Sequence, residues 1–482
     1  MDLIIVVPIM LPILTGFLLG IIKPNYNNRN TIIISSTILN FILILYIILF
    51  KHNVSFHIVK INEFLDIYLM PDNIGKIFAT LVSALWILTT FYSIDYMGNQ
   101  KNLNKFFMFF MITEGVTIGI AFSGNLITLY LFYELLTLST FPLVIEKGSE
   151  KALQAGKKYL IYSFFGATMV LFGIILLFSQ TQNLAFTPGG IVGSVPMGNP
   201  NFYLFIYILL FLGFGVKAAL VPFHSWLPSA MVAPTPVSSL LHAVAVVKSG
   251  IFALGRMTYY ILGWEVIEHT KGNDYMLILV LITILMGSFL AIHQQNLKKR
   301  LAYSTISQLG YIMLGLVIFE NSSYIGGMLH MLFHATIKIT LFFCVGAIMH
   351  YENKTELKEI EGIGKRMPKT MLSFTVASIC LIGIPPMNGF VSKWFLAIGG
   401  LERGNYFVPI ILLLSALLTA AYLIPIISSA FFKGKPAHDV EVSEPNNFML
   451  VPIVLLAVLN VILGFFPNAL ITMIQSAASK LF

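Results

Sequence analysis

The sequence predicts an all-α polytopic membrane protein of about fourteen transmembrane helices, and three observations carry that expectation. Of 482 residues, 57% are hydrophobic and 10% charged, where a soluble domain carries roughly a quarter charged residues. Such a chain cannot cover itself with a wettable surface. Apolar runs near or above the roughly 17 to 25 residues that cross a bilayer recur from one end to the other. The basic residues fall mostly between these runs and crowd into alternate connections, as topology signals do. The net charge of +8 does not indicate nucleic acid, because no Lys/Arg run is interleaved with aromatics on a polar segment.

In chain order the spans are 3–22, 31–50, 73–97, 106–122, 125–146, 157–179, 202–224, 235–262, 275–294, 301–319, 323–350, 369–399, 408–432 and 447–477, numbered here as spans 1 to 14. The first opens MDLIIVVPIMLPILTGFLLGII, with Asp2 in place of a basic n-region and an apolar run too long for a secretory leader. It reads as a retained helix. Of the 29 basic residues, Lys76, Lys217, Lys248, Arg256, Lys338 and Lys393 lie well inside spans, while Lys157, Lys158 and Lys369, at the first residues of theirs, count with the adjoining loops. With the N-terminus outside, 18 of the others fall on the inner side and 5 on the outer side, so both termini are expected outside. The longest loops, near 52–72, 180–201 and 351–368, are too short to fold alone.

Two spans look broken. In GFGVKAALVPFHSWLP, Pro222 removes a helix donor, and in CLIGIPPMNGFVSKW, Pro385 and Pro386 do the same. Each break has a lysine close by, Lys217 and Lys393. Paired interrupted segments point to an ion site in an inverted-repeat transporter. Spans 7 and 12 lie five crossings apart, an odd offset that reverses orientation. The expected organisation within a single membrane domain is therefore 1–105 with spans 1–3, a first repeat at 106–262 with spans 4–8, a second at 275–432 with spans 9–13, and 447–482 with span 14.

An ionisable group at the bilayer centre costs on the order of 2.5 to 3.5 kcal/mol on insertion scales. The chain accepts that cost at Glu134, Lys217, Lys248, Lys338 and Lys393, with His242, His330 and His334 beside them. A single buried histidine is ordinarily an isolated polar residue facing a neighbouring helix. Five charges and three histidines concentrated in spans 5–12 read instead as a proton path. His330, His334 and Lys338 follow i, i+4, i+8 spacing on one face of span 11, and histidine titrates near neutrality. A Glu134–Lys pair holds both partners charged, and separating them favours release of the lysine's proton. Glu114 belongs either to this network or to a bond with a neighbouring hydroxyl. Arg256 and Lys76, nearer span ends, read as snorkelling to the headgroups.

Five stretches, LYLFYELLTLSTFPLV, GVKAALVPFHSWLPSAMVAPTPVSSLLHAVAVVKSGIF, KKRLAYSTISQLGYI, HATIKITLFF and GIPPMNGFVSKW, together resemble the antiporter-like subunits of respiratory complex I, Mrp-type sodium/proton antiporters and membrane-bound hydrogenases. The likeness covers roughly residues 65–430 in unbroken order. By this resemblance Glu134 is similar to the family's helix-five glutamate, Lys217 to its helix-seven lysine, Lys248 to the bridging lysine of helix eight, and Lys393 to the charged group of broken helix twelve. His330, His334 and Lys338 resemble the connecting residues of helix eleven. The HAVAVVKSG form and the lysine at 393 are most similar to the D-type Mrp subunit and its hydrogenase relatives. Glu114 stands outside the family pattern, and Ser229 replaces an aspartate of many relatives.

The implied function is proton translocation, with possible exchange for sodium, by one subunit of a multisubunit complex in a prokaryotic cell membrane. Its expected partners are other membrane subunits, including homologous antiporter-like ones, together with the lipid bilayer and H+, with the passage of Na+ through this subunit or a neighbour left open, and no nucleic acid. The competing classes are a stand-alone transporter of an organic substrate and a scaffold that has lost transport. Inert packing is cheaper with apolar residues, and no polar cluster beyond the ion axis suggests an organic cavity. The chain carries no catalytic centre, nucleotide or flavin motif. Cys344 and Cys380 lie in apolar runs without metal-site spacing. No cofactor or metal is expected in this chain, and any redox cofactor belongs to partner chains of an oxidoreductase.

Overall fold

A computed structural model describes residues 3–51, 54–60, 66–98, 102–194, 199–433 and 441–482. Asp2 and parts of the loops 52–72 and 180–201 lie outside the described residues. Eleven helices among the described residues are long and apolar enough to cross a bilayer. Spans 1, 10 and 12 complete the fourteen. Val7–Ile22 and Pro368–Ile382 are shorter apolar helices, the latter continued by Asn388–Glu402, and Leu297–Val317 is long enough but opens on Lys298, Lys299 and Arg300.

Burial sorts the spans. The apolar windows of spans 8 and 11 (Asn321–Tyr351) are 100% buried, whereas those of spans 2 (Tyr26–Phe50) and 13 (Phe407–Phe432) are 33% buried. Spans 8 and 11 form the axis around which the others pack, and spans 2 and 13 present apolar side chains outward, as lipid requires. The neighbour order also repeats. Spans 4–7 (Leu103–Phe122, Leu126–Val144, Glu150–Thr181 and Pro200–Lys217) each pack on the next, and so do spans 9–12, beginning with Gly272–Ile292.

The structure departs from the sequence reading in three places. The loop before span 3 (Asn73–Met97) holds an antiparallel hairpin, Phe56–Lys60 with Asp66–Leu69, which docks on the turn between spans 4 and 5 through Met70 N–H to Phe122 O at 2.7 Å. The expected span 14 ends at Phe465 and resumes as Asn468–Ala478, because Pro467 supplies no donor at the join. Span 8 is itself divided, into Thr235–Ala243 and Val246–Arg256, and closes on a π-turn at Met257–Leu262. The expected breaks in spans 7 and 12 are present at Pro222, Pro385 and Pro386, each with a cis X–Pro bond.

Candidate functional site

Span 5 starts from Asn125, whose side chain accepts from Thr128 N–H at 2.8 Å, and carries Glu134 two turns further on. The first half of span 7 ends at Lys217. There Ala219 takes a positive φ and Leu220 N–H reaches back to Gly215 O at 2.9 Å, a helix-terminating pattern. Lys217 Nζ lies 3.7 Å from Glu134 Oε1, donates to the Tyr133 carbonyl and sits 3.4 Å from the centre of the Tyr133 ring. The lysine is 1% exposed and the glutamate 21%. Glu134 is thus at the perimeter rather than in the interior, with exposed Leu131, Leu135 and Leu138 around it.

Span 8 passes directly behind the break in span 7. A Cβ on Gly250 would come within 2.7 Å of Ala218 N, so only glycine permits this approach. The division of span 8 sets His242 at the end of one half and Lys248 at the start of the next, both fully buried. Lys248 Nζ hydrogen-bonds His334 Nδ1. Both His242 ring nitrogens lack a hydrogen-bond partner among the described residues, and its ring lies 5.0 Å from Phe342.

On span 11 the His334 and His330 rings are stacked with centroids 5.9 Å apart, as the i, i+4 spacing requires. His330 Nδ1 bonds Ser392 Oγ at 2.8 Å and its Nε2 bonds Gln308 Oε1 at 3.0 Å. Its ring also stacks on Tyr311 at 5.3 Å, over which Lys393 Nζ sits at 5.1 Å. Lys248, His334, His330, Tyr311 and Lys393 therefore form one connected series, with Ser392 branching from His330. Lys338 leaves the line, donating to Ser304 Oγ and to Leu301 O on span 10.

Lys393 has a different kind of partner from Lys217. Its ammonium donates to the carbonyls of Leu381 and Ile382, at 2.7 and 2.8 Å. Those are last-turn carbonyls of the first half of span 12, which have no intrahelical donor and form the negative end of the helix dipole. Gly383 ends that half at φ +89°, and a Cβ there would meet Lys393 Cδ at 2.9 Å. Glycine supplies both the left-handed turn and the room for the lysine.

Several buried polar groups escaped the sequence reading. Lys298 donates to Ala233 O at 2.6 Å, and Arg300 to the carbonyls of Tyr422 and Ile292, at 2.9 and 3.1 Å. Asn460 of span 14 joins Thr336 at 2.6 Å and Asn388, at the head of the second half of span 12, at 3.0 Å. Snorkelling was the wrong expectation for Arg256. Its side chain is 2% exposed and paired with Asp72, which also accepts from Gly75 N–H at 2.9 Å. Burial pushes the Asp72 carboxyl up, but the Arg256 guanidinium and that N–H outweigh it and hold it below its ordinary range. Lys76 donates to the carbonyl of Lys51, just past the end of span 2, at 2.7 Å. Lys158 reaches Ser229 at 3.2 Å.

The family model described as NADH:quinone oxidoreductase/Mrp antiporter, transmembrane, matches residues 123–419. Na(+)/H(+) antiporter subunit A1 of Staphylococcus aureus, in strains JH9 and JH1, is 32% identical over 447 residues. The match covers 86% of this chain and 54% of that protein, so the chain spans about half the length of the curated relatives it matches. Among solved structures, the Mrp complex from Dietzia sp. DQ12-45-1b superposes with a TM-score of 0.90 at 20% identity. The membrane-bound sulfane sulfur reductase, an archaeal respiratory membrane complex, does so with 0.89 at 24%. Each covers 100% of this chain and 98% of the other, which establishes a shared membrane fold. The chain belongs to the NADH:quinone oxidoreductase/Mrp antiporter transmembrane family.

Proposed function

We propose that the chain is an ion-translocating subunit of a multisubunit membrane complex and moves protons, in exchange for sodium or under redox drive, along the buried row. The observation that carries this reading is the set of contacts from Lys248 through His334, His330 and the Tyr311 ring to Lys393. Structural packing does not call for titratable groups in such a series at mid-membrane. Glu134 and Lys217 gate one end. While paired, both stay charged. When Glu134 moves away, the lysine is left without a counter-charge and gives up its proton more readily.

The perimeter position of Glu134 supports a neighbouring subunit on that face, since a carboxylate facing lipid is costly. Mrp-type, D-like architecture in a prokaryotic cell membrane, with both termini outside, fits the charge distribution of the loops. Redox cofactors, where the complex has any, belong to the partners. In inverted vesicles carrying the intact complex, Glu134→Gln abolishes coupled proton transport while assembly persists. Transport at the wild-type rate in that variant removes Glu134 from the mechanism. Copurification and identification of the partner chains decides between a cation/proton antiporter and a redox-driven pump.

A further inference from the structure

Span 4 carries a carboxyl group that the row does not use. Glu114 is fully buried, and its Oε1 accepts from Asn40 Nδ2 of span 2 at 2.9 Å. The sequence reading offered it a place in the row or a hydroxyl partner, and it takes neither. Asn40 is fully buried as well, and both its Oδ1 and Glu114 Oε2 lack a hydrogen-bond partner among the described residues. Two buried acceptors on adjoining groups are thus short of a donor.

Among the described residues no cation makes good the charge. On the helices packed against span 4 the charged groups are engaged elsewhere: Arg29 with Asn30, Lys76 with the Lys51 carbonyl, Asp95 with Tyr351, Glu134 with Lys217, Lys248 with His334, and Arg256 with Asp72. Lys105 of span 4 itself lies nine residues away, about 13 Å along the helix. An unpaired carboxylate is costly in this setting, because burial strips its hydration without a counter-charge. A hard metal cation asks for about six oxygen ligands, and the pair has two free ones. A proton on the carboxyl removes the charge and provides the missing donor.

We propose that Glu114 and Asn40 form a proton-binding site outside the central row, in which the glutamate is held as the neutral carboxylic acid. The test is infrared difference spectroscopy of the complex in vesicles, wild type against Glu114→Gln at neutral pH, with potassium and then sodium as the only added cation. One band in the carbonyl-stretch region of protonated carboxylic acids is lost in Glu114→Gln, and in wild type it is the same in both salts. Asn40→Leu keeps that band and shifts its frequency, because the donor to Oε1 is gone. Loss of a carboxylate band instead overturns the proposal, as does a wild-type band that vanishes when sodium is added. Should Glu114→Gln fail to assemble, Asn40→Leu alone decides: an unshifted carboxylic-acid region refutes the assignment.

Discussion

Lys217 and Lys393 stand at corresponding breaks in spans 7 and 12, yet they are held by different physics. Lys217 ends its half-helix and faces a carboxylate 3.7 Å away on another span. Lys393 lies beyond its break and donates to two carbonyls at the end of the preceding half-helix. A carboxylate is a full charge on a movable side chain. The carbonyls are part of a dipole, worth roughly half a charge and fixed in the backbone. The first half is built so that its partner can leave, and the second so that its partner stays. On the function proposed above, switching belongs to the Glu134–Lys217 end, with Lys393 as the terminal proton holder.

The largest effects are expected where the partner is removable. Lys217→Ala abolishes transport, as Glu134→Gln does, with assembly preserved. Lys217→Arg fails too, because guanidinium does not release its proton at accessible pH. Vesicle transport measured alongside assembly checks this, and activity in the arginine variant would mean that a fixed positive charge suffices. Next comes a pair that serves structure alone. Asp72→Asn strands the buried Arg256 and costs about 3 to 5 kcal/mol, read as a fall in unfolding temperature with unchanged transport per assembled complex. Because the Asp72 carboxyl is held low, the pair's contribution is complete above pH about 4 and fades only as pH falls below it. The smallest effect is at Gly383→Ala, where alanine in the left-handed turn costs roughly 1 to 2 kcal/mol. The added methyl crowds Lys393, so transport slows in proportion more than stability falls. Equal losses in both would make Lys393 a helix cap and nothing more.

The fourteen spans were legible because apolar length is a local property, and the breaks at Pro222 and Pro385–Pro386 because proline announces them. The division of span 8 was not. Val244 and Ala245 carry no breaking residue, and the break appears only where span 8 meets spans 7 and 11. Lys298 and Arg300 were hidden in a KKR run that serves equally as a topology signal. Asp72 and Arg256 are 184 residues apart, so nothing local joins them. The stripe of His330, His334 and Lys338 was visible as spacing. That Lys338 turns aside to span 10 depends on the placement of Ser304, which spacing cannot supply.

If protons pass between the two ends through span 11, His334→Gln interrupts them. Glutamine keeps an acceptor for Lys248 within a similar volume but does not titrate. Proton transport in vesicles then falls at least about tenfold, a barrier change of about 1.4 kcal/mol, while complex yield and unfolding temperature stay near wild type. A structural histidine gives the reverse, a fall in unfolding temperature from the lost ring packing on His330 with wild-type transport in what assembles, and that result would contradict the relay.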